Sequence, residues 1–127
     1  MKLRCLRLRG AGPLAALLLI AVPAAGANPG DAVGKTASQC FVIYKIAAGL
    51  PGNAMHKGTF EGLGGLMDRT MRDSQVSKTQ FDAWTDELLQ RIGVSRKPDG
   101  KAMSAQVETC NAFAKQRYAH YAATAKK

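Results

Sequence analysis

Three cysteines, two histidines, nine carboxylates and a scatter of methionines and serines carry the reactive or metal-binding chemistry of this 127-residue chain. Cys40 and Cys110 are the most informative. Their spacing is far from the C-x-x-C of redox-active pairs. The third cysteine, Cys5, falls in an N-terminal stretch that reads as an export signal, so the exported chain keeps an even pair with one possible pairing. Oxidising compartments favour such bridges. Closing a loop of about 70 residues is worth roughly 4 kcal/mol in the chain-entropy model, a large share of the net stability of a small domain. A structural Cys40–Cys110 disulfide is expected.

Soft-metal ligation is the next possibility. Met55-His56 and Met67-x-x-x-Met71 offer thioether and imidazole groups, and methionines at i, i+4 share one helix face, as a copper-type site requires. Methionine is more often core filler, and no His or Cys cluster accompanies these residues, so they are weak candidates and no metal or other cofactor is expected. Nucleophilic catalysis needs a base beside the nucleophile. None of Ser38, Ser74, Ser77, Ser95 and Ser104 lies in a G-x-S-x-G elbow, and His56 and His120 are the chain's two histidines, few for acid–base catalysis. The carboxylates Asp68, Asp73, Asp82, Asp86, Glu87 and Glu108 fit solvated helix faces better than an acid–base pair. No catalytic residue is assigned, and a non-enzymatic protein is expected.

Residues 1–27 have the organisation of a secretory signal peptide. Lys2, Arg4, Arg7 and Arg9 precede an apolar run from Leu14 to Val22, which Pro23 ends, and Ala25-Gly26-Ala27 supplies the small-x-small cleavage pattern. Cleavage between Ala27 and Asn28 would release a 100-residue protein. A retained anchor fits less well, because the continuous apolar core is short for a bilayer. No stable membrane insertion is expected after cleavage, and the location would be the bacterial periplasm or exterior. The whole chain has 18 Lys+Arg against 9 Asp+Glu. Loss of the four signal-borne cations leaves 14 against 9 and a net charge of +5. These cations are dispersed rather than gathered with aromatics into a stripe, which argues against nucleic-acid binding.

The elements that would position these groups follow from periodicity. Asn28 to about residue 35 contains Pro29, Gly30 and Gly34 and reads as a loose segment. Thr36 or Ser38 then caps a helix to about Ala48, with Ala37, Cys40, Phe41, Tyr44 and Ala48 on one face. The β-prone run Phe41–Tyr44 competes for strand, but the flanking alanines and the spacing favour helix. Gly49–Asn53 is a break. A second helix spans about Thr59–Ser74, with Phe60, Leu63, Met67 and Met71 aligned. Its glycines at 58, 62, 64 and 65 lower helix propensity and match neither phosphate-loop fingerprint; close approach of another helix is the simpler use for them, and a mobile lid is another. Ser77-Lys78-Thr79-Gln80 is a capping box opening a helix with Phe81, Trp84, Leu88 and Ile92 in a stripe, ended by Gly93. Arg96–Gly100 is a turn. The last helix runs from about Lys101 to Ala125, with Met103, Val107, Cys110, Ala114, Tyr118 (or Arg117) and Tyr121 near heptad spacing.

The expected architecture is an all-α compact bundle of about four helices over residues 36–127, clamped by one disulfide between the first and last. The expected role is binding to a protein partner or an envelope component. The alternative is carriage of a small apolar ligand, or a soft metal ion, between helices, with Tyr44, Phe60, Phe81, Trp84 and Leu88 as cavity lining or simply as core. A partner surface is sought at the glycine-rich segment and the turn around Pro51–His56.

Overall fold

The computed structural model describes residues 29–94 and 96–126. The expected signal peptide, residues 1–27, and its expected cleavage point between Ala27 and Asn28 lie outside the described residues. The fold is all-α. Helices α1 (Pro29–Gly49), α2 (Lys57–Asp73), α3 (Lys78–Ile92) and α4 (Gly100–Ala125) follow one another with short connections, the first of which contains a 3₁₀ turn, Pro51–His56. No strand occurs among the described residues.

Helix α1 is the central element and packs against all three others. Its core positions are Ala37, Cys40, Ile43, Tyr44 and Ala47. Phe41 and Ala48, which the spacing places on the buried face, are half-buried instead. A helix with three partners buries more than one stripe, and the completely covered set rotates toward Ile43 and Ala47. Helix α1 also begins earlier than the sequence suggests. The loose segment over 28–35 is corrected to helix from Pro29 onward. Proline is suited to a first helical position, Asp31 stands in the first turn where the helix dipole favours an acid, and Gly34 is a packing residue. A Cβ at Gly34 would come within 2.8 Å of Val76 Cγ2 and 3.4 Å of Ser74 Cβ.

That contact depends on how α2 ends. Val76 N–H donates to Met71 O at 3.1 Å and Gln75 N–H to Arg72 O at 3.0 Å, while Gln75 adopts φ 56°. This is a Schellman motif with glutamine in the usual glycine position, and it delivers Val76 onto Gly34. The capping box of α3 then forms as its sequence requires: Gln80 N–H donates to Ser77 Oγ at 3.1 Å and Ser77 N–H to Gln80 Oε1 at 2.9 Å. Helix α4 is capped by Asp99, whose carboxylate accepts from Ala102 N–H at 2.7 Å.

The Cys40–Cys110 disulfide joins α1 to α4 with Cα atoms 5.4 Å apart, and both residues are completely buried. One turn along, Tyr44 Oη donates to Asn111 Oδ1 at 2.8 Å. Burial, with a smaller contribution from Tyr118, pushes the Tyr44 phenol from 10.0 up to about 12. The inward seam of α4 runs through Met103, Cys110 and Ala114, which are buried, with Val107, Arg117 and Tyr121 half-buried along it; Tyr118 is 55% exposed, so Arg117 takes the place the heptad spacing offers to either. Farther along, Tyr121 Oη donates to Asp73 Oδ2 at 2.6 Å, and the Arg69 guanidinium lies 3.7 Å from its ring centre, fastening α4 to the end of α2.

Candidate functional site

The residues that could do chemistry are mostly dispersed or engaged in structure. Met55 is 94% exposed and His56 is exposed on the 3₁₀ turn, whereas Met67 is wholly buried in the core. The structure therefore does not bring the two soft-ligand pairs to one place. Among the described residues no group of three or more His, Cys, Asp or Glu side chains is arranged to hold a metal ion. Ser77 serves as a helix cap, and Ser38 Oγ donates to Gly34 O at 2.7 Å inside α1. His120 is exposed and meets Tyr121 edge-on at 5.2 Å.

The five residues considered for a ligand cavity also separate. Tyr44 and Leu88 are completely buried core. Trp84 lies beside Gly34, and Phe81 packs edge-on to Phe41 at 6.2 Å. Phe60 differs from the other four. Its ring stacks on Tyr44 at 6.1 Å, and it forms a wall shared by two open clefts.

The first cleft, about 410 Å³, has Phe41, Tyr44, Ala48 and Phe60 as apolar lining, Gly64 and Gly65 on the α2 side, and Lys45, Lys57 and Glu61 among its polar lining. The second, about 470 Å³, combines Leu50, Phe60, Met103 and Val107 with Arg96 and Lys97. A shallower depression of about 440 Å³ joins Lys45 to Arg96 across Leu50 and Pro51. All three open at one end of the bundle, where α1 stops, the 3₁₀ turn crosses to α2, and the α3–α4 turn enters α4. Asn53 holds the 3₁₀ turn to α1 by donating from Nδ2 to Ala47 O at 3.0 Å.

Electrostatics set this end apart. Lys45, Lys57, Arg96, Lys97 and Lys101 meet two acids here, Glu61 and Asp99, and both are in use: Glu61 pairs with Lys57, and Asp99 caps α4. Lys45 lies 5.7 Å from the Phe41 ring centre and has no carboxylate partner among the described residues. Arg96 and Lys97 also have none among the described residues.

Sequence reasoning placed attention on the glycine-rich segment and the Pro51–His56 turn, and the clefts do open beside them. It missed Arg96 and Lys97 as cleft walls, because a turn motif says nothing about which other turn it meets. It also gave the glycines a shared packing role. In the structure Gly64 alone of the four is buried, and added methyl groups at Gly58, Gly62 and Gly65 would meet nothing within 4 Å. Gln39 was missed as well: buried, it donates from Nε2 to Trp84 O at 2.9 Å and accepts from Arg91 Nη2 at 3.1 Å, linking α1 to α3. A lone glutamine beside an apolar stripe carries no signal of such a network. No family model matches the chain, and no curated protein or solved structure gives a significant match, so the site's geometry and chemistry supply the functional argument.

Proposed function

We propose that this is an exported, non-catalytic binding protein whose working face is the Phe60 end of the bundle. The observation that carries this reading is the shared Phe60 wall, with two apolar clefts flanked by Lys45, Arg96 and Lys97, cations without carboxylate partners among the described residues. An apolar floor with an unneutralised cationic rim selects anionic partners that also present apolar groups. Export is supported by the signal-like N-terminus and by a buried disulfide of the kind oxidising compartments favour. No described helix is long and apolar enough to cross a membrane, which is compatible with release after cleavage. The intact mass of protein recovered from a bacterial periplasm should be that of residues 28–127 less two hydrogens.

The face itself is testable by placing a photo-crosslinking amino acid at Met55 or Val94, both at this end, and at Tyr118 as a distant control. Adducts from positions 55 and 94 and none from 118 are expected in expressing cells. Adducts from 118 alone would overturn the assignment. A second reading, carriage of a small apolar ligand, draws on the cleft volumes, which fall in the range of small-molecule sites. Native mass spectrometry would support it by extra mass that is lost on denaturation.

A further inference from the structure

The same end of the molecule carries a second feature that clefts alone do not explain. Met55 is 94% exposed and Val94 is 68% exposed, and these two project from the 3₁₀ turn and the α3–α4 turn. They stand out from the surface instead of lining the clefts. Large apolar side chains held in water beside cations are poorly placed for a small ligand, which needs enclosure. They are well placed for a lipid surface, where protruding apolar groups enter the interfacial layer and Lys and Arg reach the headgroups along apolar stems.

We infer that this end docks peripherally on an anionic phospholipid bilayer. Met55 and Val94 enter the interface, and Lys45, Arg96 and Lys97 face the headgroup phosphates. The inference rests on the reading of the Phe60 end as the binding face and adds the identity of what it meets. Charge complementarity selects the occupant: five cations against two engaged acids lie at the end of the bundle that carries these protruding residues. Over the rest of the described residues the balance is near even, eight cations (35, 69, 72, 78, 91, 115, 117 and 126) against seven acids (31, 68, 73, 82, 86, 87 and 108), and Lys35–Glu87, Arg69–Asp73, Arg72–Asp68 and Lys78–Asp82 are paired. Each cation near an anionic membrane contributes about fivefold in partitioning, equivalent to about 1 kcal/mol, and the attraction is screened by salt.

The test is co-sedimentation of the oxidised protein with vesicles of phosphatidylglycerol mixed with phosphatidylcholine, against pure phosphatidylcholine. Binding to the anionic vesicles alone, weakened by added salt, is expected. The double variant Arg96→Gln/Lys97→Gln should reduce partitioning about 25-fold, and Met55→Ser/Val94→Ser about tenfold. All four positions are exposed, and unchanged thermal melting would show that the variants fold. Equal binding to neutral vesicles, no binding to anionic ones, or full binding by both double variants would overturn the inference. Protein adducts at positions 55 and 94 in cells, together with no vesicle binding, would leave the Phe60 face standing and replace the bilayer with an acidic protein partner.

Discussion

The two ends of the bundle are built to different rules. At one end, the start of α1 is pressed against the α2–α3 turn through Gly34 and Val76, while Lys35 reaches Glu87 on α3. Salt bridges there join Arg69 to Asp73, Arg72 to Asp68 and Lys78 to Asp82, and backbone groups are closed by a Schellman motif and a capping box. At the other end clefts open around Phe60, and Lys45, Arg96 and Lys97 have no carboxylate partner among the described residues. Tight packing belongs to stability, whereas exposed apolar surface beside solvated cations is the feature on which the proposed binding role rests.

The largest expected effect lies between the two ends. Replacing Cys40 and Cys110 by Ala should lower stability by about 4 kcal/mol, measured by denaturant unfolding, without altering vesicle binding of the folded fraction. Raising pH acts on the neighbouring Tyr44. Its phenol is pushed up to about 12 in the folded protein, so the neutral form is the native one. Stability is therefore intact below pH 10 and falls by roughly 2–3 kcal/mol as pH rises from 10 toward 12; Tyr44→Phe should flatten that slope in melting curves.

One substitution made at each end sharpens the comparison. Gly34→Ala should destabilise by about 1–2 kcal/mol, because the new methyl group meets the stiff Val76 side chain. Gly62→Ala, where the added group meets nothing within 4 Å, should instead stabilise by about 0.5–1 kcal/mol through helix propensity and lost unfolded-state freedom. If both were destabilising, the Phe60 end would be more tightly constrained than the clefts indicate. The smallest effect on stability is expected from Arg96→Gln/Lys97→Gln, within about 0.5 kcal/mol, as for exposed residues generally.

Much of this architecture was legible in the sequence. The Ser77–Gln80 capping box and the Cys40–Cys110 bridge are set by local pattern or by elimination, and each is present; of the expected Phe81, Trp84, Leu88 and Ile92 stripe, Leu88 and Ile92 are buried while Phe81 and Trp84 are half-buried. What local pattern could not supply is which surfaces meet. Gly34 read as a breaker because its partner, Val76, lies 42 residues away. Tyr118 and Arg117 were interchangeable by spacing, and tertiary packing chose Arg117. The Phe60 end was located in part, through its glycines and its turn, but its cationic wall comes from a connection distant in sequence.

Amide hydrogen exchange on the oxidised protein, alone and with envelope membranes from an expressing bacterium, tests this division most directly. For the free protein, the account expects the slowest exchange around Cys40, Met67 and Cys110 and the fastest across 51–56 and 93–99, with membranes protecting only the latter two segments. Uniform exchange, or membrane protection centred on Gly34 and residues 74–84, would contradict it.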